Sequence, residues 1–280
     1  MSRLDVAGRR VTFTESGRAE LPPVILLHGG GFDQATLSWR DVLPDLAADH
    51  HVIAPDFPGY GGSAGFDGPF TVADLGAWLV RFLDALGVSR ASVVGVSMGG
   101  AVGLWLALRE PQRVDRLVPV SAYGLADRVP AQLAAYGFSR LPLARLSYAW
   151  MASSRRATRR ALEQSFADPS RLTDDLVATV QAIIKRKGSG RAFRQFQAGE
   201  LQPRRLTTYF LPELPRLQRP TRFVHGGHDH LIPIAAARAA AAAAPDATLD
   251  ELNTGHLPMH EAPEVFVPLV RRLLTDEMPR

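Results

Sequence analysis

Three polar residues, far apart in the chain, each follow a short apolar run and together could perform nucleophilic catalysis. Ser97 lies at the centre of a Gly-Val-Ser-Met-Gly pentapeptide, whereas Asp229 and His256 lie in later loops. A serine hydroxyl is a weak nucleophile until an imidazole accepts its proton, and a buried carboxylate holds that imidazole in the productive tautomer. The three residue types therefore predict a nucleophile, an orienting acid and a base.

The segment around Ser97 predicts a strand, a sharp turn and a helix. An apolar, β-branched run covers Ala91–Val96, and a helical pattern starts at Ala101. Gly95 and Gly99 lack the side chains that would collide across such a turn, so the serine hydroxyl can project beyond the end of the strand. The alternative is a glycine-rich turn in which the serine only caps the helix.

The acid and the base each have competitors in the sequence. Asp246 and Asp250 are alternatives to Asp229, which is favoured because it follows directly on a predicted strand. His256 is favoured as the base because it follows the last predicted strand; the other candidates are His225, His228, His230 and His260. Two histidines flanking one aspartate are a poor chelate without further ligands. We therefore predict neither a metal nor a cofactor.

A second glycine-rich loop, His28–Gly31, follows the apolar strand predicted at Pro23–Leu27. It lacks the lysine and the spacing of a phosphate-binding P-loop. Glycines in such a loop allow a backbone N–H to approach a reacting carbonyl oxygen, so we interpret the loop as part of an oxyanion hole. His28 is interpreted as shaping this loop by hydrogen bonding.

Strand and helix patterns alternate along most of the chain, which predicts an α/β fold with a mostly parallel sheet and helices on both faces. Further strands are predicted at 3–6, 11–15, 51–55, 114–120, 220–225 and 247–252, and helices at 37–48, 71–86, 234–244 and 262–274. Residues 121–215, which we call the insert, show no strand pattern; helices are predicted there at 142–152, 155–166, 173–187 and 191–198. We therefore predict a core domain of residues 1–120 and 216–280 with an inserted helical cap, residues 121–215.

Composition narrows the functional classes. The 280-residue chain is 46% hydrophobic and has no cysteine, which excludes disulfides and thiolate chemistry. It contains no apolar run of membrane-spanning length and begins without a secretory leader pattern. We expect a soluble cytoplasmic protein that acts on a small molecule, with no membrane partner, as a monomer or a homodimer.

The insert is basic, with 15 Lys and Arg against seven Asp and Glu. Six arginines there could contact a substrate carboxylate, although solvent-facing positions are the favoured interpretation: Arg155, Arg156, Arg159, Arg160, Arg191 and Arg194. No aromatic residues interleave with them as in a nucleic-acid groove, so no nucleic-acid partner is expected. Six large side chains could line an apolar acyl pocket, at least half of them instead forming the insert's own core: Phe138, Tyr148, Trp150, Met151, Phe166 and Phe193.

Together these motifs resemble the α/β-hydrolase superfamily, in its cap-bearing branch with a serine nucleophile. The resemblance rests on His28–Gly31, Asp56–Gly61, Gly95–Gly100, Gly226–Asp229 and Gly255-His256, which occur in the family's order. It implies that Ser97 is the nucleophile, His256 the base and Asp229 its orienting acid. It also implies an oxyanion hole made by the backbone N–H groups of Met98 and Gly30.

Several enzyme activities occur on this fold with these motifs, including those of esterases, lactonases and the carbon–carbon bond hydrolases of meta-cleavage pathways. The latter usually have Asn before the nucleophile and Trp after the catalytic histidine, whereas this chain has Val96 and Leu257. We therefore expect hydrolysis of small to medium apolar carboxylic esters through an acyl-enzyme. Carbon–carbon bond hydrolysis and ligand binding without turnover are the alternatives.

Overall fold

The computed structural model describes residues 1–141, 143–186, 188 and 190–275. Its centre is one eight-stranded sheet in the spatial order β1-β2-β4-β3-β5-β6-β7-β8. Strand β2 pairs antiparallel with both of its neighbours, β1 and β4, and the remaining pairs are parallel, which agrees with the predicted antiparallel entry to a mostly parallel sheet. The strands are β1 Ser2–Val6, β2 Arg9–Ser16, β3 Pro23–Leu27, β4 His51–Pro55, β5 Ala91–Val96, β6 Val114–Val120, β7 Thr221–Gly226 and β8 Ala247–Leu252.

Helices cover both faces of the sheet because its central strands are apolar on both sides. The core helices are α1 Ala35–Ser38, α2 Val42–Leu46, α3 Val72–Ala85, α4 Met98–Arg109, α10 Ile234–Ala243, α11 Pro258–Glu261 and α12 Pro263–Thr275. Val24 and Leu26 of β3 pack with α1, α2 and α12. Ile25 and Leu27 of the same strand pack with α3, α4 and α10. Alternate residues of one strand thus stabilise opposite layers.

One predicted core helix is wrong in its extent. The pattern at 37–48 predicts a single helix, whereas the chain forms α1 and α2 separated by a turn at Trp39–Asp41. Pro44 lies in the first turn of α2. Proline has no N–H and its ring clashes with the carbonyl four residues earlier, so a helix cannot run continuously through this point.

The described part of the insert forms five α-helices between β6 and β7: α5 Gln132–Arg140, α6 Leu143–Ser153, α7 Arg155–Glu163, α8 Asp174–Ile184 and α9 Arg191–Glu200. The sequence did not predict α5, whose interior contains Gly137, a poor helix former. Predictions at Pro142 and Lys187 fall outside the described residues. Within the described part of the insert, the only strand-like pairing is an isolated bridge between Leu201 and Leu206. Its division from the core as a separate cap remains a prediction.

Among the described residues, no helix has the length and apolar character needed to cross a membrane.

Candidate active site

Ser97 lies at a strained turn between β5 and α4. Its φ of 51° and ψ of −113° place it in a region that side-chain-bearing residues rarely adopt. Flanking hydrogen bonds hold the backbone there: Ser97 N–H donates to Val120 O at 2.8 Å, and Tyr123 N–H donates to Ser97 O at 3.0 Å. The turn places Ser97 at the end of the sheet where the parallel strands terminate.

The two glycines of the pentapeptide allow the backbone to close tightly around Ser97. A Cβ atom at Gly99 would lie 2.2 Å from Leu27 O, and one at Gly95 would lie 2.3 Å from Gly99 O. Backbone atoms cannot yield to such overlaps. The packing therefore requires glycine at both positions, as the sequence predicted.

His256 and Asp229 are brought together from two loops. His256 Nδ1–H donates to Asp229 Oδ2 at 2.7 Å, and both side chains are buried. The other carboxylate oxygen accepts N–H groups from Leu231 at 2.8 Å and Ile232 at 2.9 Å. Burial alone would raise the pKa of Asp229, but the hydrogen bonds from His225 and His256 outweigh it and hold that pKa well below its usual range.

His225 is a second buried imidazole beside the carboxylate, and the sequence considered it only as an alternative base. Its Nε2 lies 2.8 Å from Ile232 O and 3.4 Å from Asp229 Oδ2. The ring thus braces the Asp229 loop and does not line the cavity described below. The signal in the sequence was a histidine that directly follows the apolar pair Phe223-Val224 near the end of β7.

The loop after β3 is organised by His28, as the sequence suggested. His28 Nε2 accepts the N–H of Phe57 at 2.9 Å, so Nδ1 carries the proton and donates to Gly29 O at 2.7 Å. Asp33, which the sequence did not single out, accepts the Gly29 N–H at 2.7 Å and the Ser38 hydroxyl. These bonds fix the loop on both sides of Gly29.

Two backbone N–H groups beside Ser97 remain available for a ligand. Among the described residues, neither the Gly30 N–H nor the Met98 N–H donates a hydrogen bond. Met98 is the first residue of α4, where the N–H groups have no partner within the helix. A Cβ at Gly30 would lie 3.8 Å from Met98 Sδ, so the loop and the helix start are close neighbours.

Ser97, Gly30 and His256 line one cavity of about 250 Å³. No hydrogen bond joins the Ser97 and His256 side chains among the described residues, which is common before substrate binds. The remaining wall is mainly apolar, and its large apolar residues are Phe32, Leu37, Leu162, Leu176, Val180, Ile184, Phe193, Leu231 and Leu257.

Most of the large insert residues suggested for an acyl pocket lie elsewhere. Phe193 lines the cavity, whereas Phe166 is buried in the insert's own cluster and Met151 packs against it. Phe138 and Trp150 are 47% and 54% exposed. Phe166 and Met151 therefore agree with the expectation that part of this set forms the insert's own core, whereas Phe138 and Trp150 lie neither in the cavity wall nor in that core.

Tyr148 also lies outside the cavity wall. Its ring packs edge-to-face against Phe32, with centroids 4.8 Å apart, and carries Arg194 above it. None of the six candidate arginines of the insert lines the cavity. Arg159, for example, donates to Leu172 O and to Asp174 instead.

The competing acid and base candidates have other contacts. Asp250 pairs with Arg272 at 3.7 Å, and the Asp246 carbonyl accepts an N–H from β7. His228 Nε2 lies 3.0 Å from Asn253 Oδ1. His230 is exposed. Among the described residues, no group of three or more His, Asp or Glu side chains could hold a metal ion.

A family model described as the alpha/beta hydrolase fold matches residues 22–263. The chain belongs to this family. The α/β-hydrolase is 31% identical over 267 residues to the dihydrolipoyllysine-residue acetyltransferase component of the acetoin cleaving system of Pseudomonas putida. That match covers 94% of this chain but 66% of the relative, slightly under two thirds of its length.

Two further comparisons are with hydrolases from Pseudomonas species. A 2-hydroxy-6-oxo-2,4-heptadienoate hydrolase from Pseudomonas putida is 42% identical over 106 residues, 37% of this chain and 38% of the relative. The solved meta-cleavage product hydrolase from Pseudomonas fluorescens IP01 superposes with a TM-score of 0.82 at 25% identity. It covers 98% of this chain and 97% of that one. This hydrolase therefore shares its whole fold with such enzymes.

Proposed function

We propose that this α/β-hydrolase is a serine hydrolase that cleaves small to medium, largely apolar carboxylic esters. Ser97 Oγ attacks the ester carbonyl while His256 takes its proton, and Asp229 keeps the imidazole oriented and stabilises its cationic form. The N–H groups of Gly30 and Met98 stabilise the oxyanion. His256 then protonates the leaving alcohol, and water hydrolyses the acyl-enzyme by the same steps.

One observation carries the choice of substrate: the cavity that contains Ser97 and His256 is mainly apolar and has no Lys or Arg in its described wall. Its charged side chain is Asp33, whose carboxylate is held by backbone and hydroxyl donors. Apolar walls favour an uncharged acyl chain. The proposal includes action in the cytoplasm on a small molecule, without a cofactor.

Carbon–carbon bond hydrolysis is the second candidate, and the similarity to the two Pseudomonas hydrolases favours it. A dienoate substrate carries a carboxylate, which a cavity wall with Asp33 and without Lys or Arg would repel. The same site could therefore perform this chemistry, but the charge of its wall supports the neutral ester.

A burst assay with p-nitrophenyl acetate, butyrate and octanoate tests the proposal. We expect a rapid release of p-nitrophenol followed by steady turnover. Replacement Ser97→Ala should lower kcat by on the order of 10⁴–10⁶-fold, because the nucleophile is lost. The matched control is Ser92→Ala on the same strand, which should retain wild-type turnover.

The other outcomes separate the alternatives. Turnover of 2-hydroxy-6-oxo-2,4-heptadienoate with no ester hydrolysis would favour the carbon–carbon hydrolase. Stoichiometric ester binding without Ser97-dependent release would favour a binding protein. Ester release that persists in Ser97→Ala would contradict the assigned nucleophile.

A further inference from the structure

Glu261 is a buried carboxylate next to the site that the proposed reaction does not use. It is 3% exposed and lies at the end of α11, five residues after His256. Its Oε2 accepts the N–H of Gly255 at 2.7 Å and of Ala167 at 3.1 Å, while Oε1 accepts the N–H of Asp168 at 2.8 Å. One side chain thus joins the loop of the histidine to the insert.

Other contacts strengthen the same junction. His256 N–H donates to Ser165 O at 2.8 Å. Gly255 packs so closely that a Cβ there would lie 2.5 Å from Ser165 O. Arg171 Nε donates to the Glu261 carbonyl at 2.8 Å. The insert segment 165–168 is therefore fastened directly onto the backbone that carries the imidazole.

We propose that Glu261 is a positioning residue for His256, an inference that rests on the proposed function. A carboxylate accepts on both oxygens and donates on neither, so it satisfies N–H groups from the core loop and from the insert at once. By fixing the backbone at Gly255, it fixes where the His256 ring lies between Asp229 and Ser97. The insert and the catalytic histidine then move together.

Glu200 offers a matched comparison, because it is a buried carboxylate at a different junction of insert and core. It is fully buried and accepts the Val72 N–H at 2.8 Å, the Thr208 N–H at 3.0 Å, the Thr208 hydroxyl at 2.8 Å and the Tyr123 hydroxyl at 3.3 Å. None of these partners lies in the loop of His256. Losing Glu200 should therefore weaken the fold without displacing the imidazole.

The test compares Glu261→Gln with Glu200→Gln. A glutamine turns one acceptor oxygen into a donor facing N–H groups, so both variants should lower Tm by several degrees. We expect Glu261→Gln alone to reduce kcat on p-nitrophenyl butyrate, by about 10–100-fold with KM changed less than about 2-fold, because the base is misplaced. A folded Glu261→Gln with the kcat of the wild type would overturn the proposal.

Proton NMR of the His256 Nδ1–H resonance gives a readout that does not depend on turnover. Glu261→Gln should shift or broaden this resonance, whereas Glu200→Gln should leave it unchanged. An unchanged resonance in Glu261→Gln would refute the positioning role even if the wild type hydrolysed no ester. Absence of Ser97-dependent turnover in the wild type would instead refute the proposed function.

Glu261→Asp keeps the negative charge but is one methylene shorter, and it serves if the glutamine variant does not fold. Its carboxylate cannot reach all three N–H groups, so we expect a kcat below that of the wild type. A folded Glu261→Asp with wild-type kcat would overturn the proposal.

Discussion

At the scale of single residues, the proposed mechanism requires Asp229 to remain ionised. Its carboxylate accepts two backbone N–H groups and His256 Nδ1–H, and these bonds hold its pKa well below the usual range. A carboxyl group whose pKa is lowered in the folded state stabilises the fold at pH values above its pKa in the unfolded chain. This contribution is lost as pH falls through the pKa of the folded state. Asp229 therefore stays charged at pH values where an ordinary aspartate would be protonated.

The acid limb of the profile of kcat/KM against pH should accordingly contain no ionisation of Asp229 and fit a single proton. Asp229→Asn should lower kcat by roughly 10⁴-fold, because an amide no longer fixes the tautomer. Stopped-flow hydrolysis of p-nitrophenyl butyrate across pH 4–8 measures both effects. A two-proton acid limb would show that Asp229 titrates in the working range.

His260 supplies a second imidazole to the cavity wall, and no described residue forms a hydrogen bond with the nitrogen atoms of its ring. Burial lowers its pKa, so the ring is neutral at pH 7. An apolar acyl group covering an unpaired ring leaves its polar atoms unsatisfied, at a cost of about 1–3 kcal/mol. His260→Leu should therefore raise kcat/KM for octanoate esters by about 10-fold.

The control for this prediction is His228→Leu, which removes an exposed histidine outside the cavity and should leave the preference unchanged. Initial rates on acetate and octanoate esters provide the comparison. A decrease in octanoate hydrolysis by His260→Leu would mean that His260 itself binds the substrate.

At the scale of elements, buried carboxylates join the insert to the core at two places. Glu261 holds the loop after β8, and Glu200 holds the start of α3 through the Val72 N–H. A carboxylate at a helix start is favoured because the unpaired N–H groups there carry partial positive charge. The insert is therefore anchored by polar contacts as well as by its apolar faces.

The Glu200 junction predicts a pH-dependent stability. Burial raises the pKa of Glu200, although its hydrogen bonds oppose this. The folded state then binds the proton more tightly than the unfolded chain does. The resulting contribution to the free energy of unfolding is complete below about pH 4.3 and is lost as pH rises through the raised pKa. The free energy of unfolding of the wild type minus that of Glu200→Gln should fall between pH 4 and pH 7.

Urea denaturation at several pH values measures this difference. Glu264→Gln is the contrasting control, since the pKa of Glu264 is lowered by a bond to its own backbone and by Arg171. The smaller contribution of Glu264 to the free energy of unfolding should grow as pH rises. If the free energy of unfolding of the wild type minus that of Glu200→Gln also grew with pH, the raised pKa of Glu200 would be contradicted.

At the scale of the whole molecule, the insert completes a cavity that the sheet alone would leave open. The strand ends supply Ser97 and His256, whereas α7, α8 and α9 supply Leu162, Val180 and Phe193 to the same wall. Phe193 lies directly against the loop after β3, 2.8 Å from where a Cβ of Gly30 would be. The insert therefore sets the space available to the substrate.

Phe193→Ala should shift the acyl preference towards longer chains. Removing the ring enlarges the cavity, and each additional buried methylene contributes about 0.8 kcal/mol. We expect the ratio of kcat/KM for octanoate to that for acetate to rise by about 10-fold. Phe138→Ala, which removes an exposed aromatic ring of the insert, should leave the ratio unchanged. A constant ratio in Phe193→Ala would refute this role.

The sequence alone determined the layered fold, because the relevant signals are local. The apolar run Pro23–Leu27, the helix cap at Thr71 and the glycines flanking Ser97 each specify conformation within a few residues. Their order along the chain then restricted the topology to one family. The extents of β3, β4, β6 and β8 could be predicted to the residue.

The tertiary structure decided which side chains meet. The sequence favoured His256 among five histidines, but only the structure joins its Nδ1 to Asp229. The sequence could not tell that Phe193 lines the cavity while Phe138 faces solvent. It gave no sign that Glu261 contacts Gly255 and Ala167. Local pattern fixes the element on which a residue lies, but long-range packing fixes the direction in which its side chain points, and contacts depend on that direction.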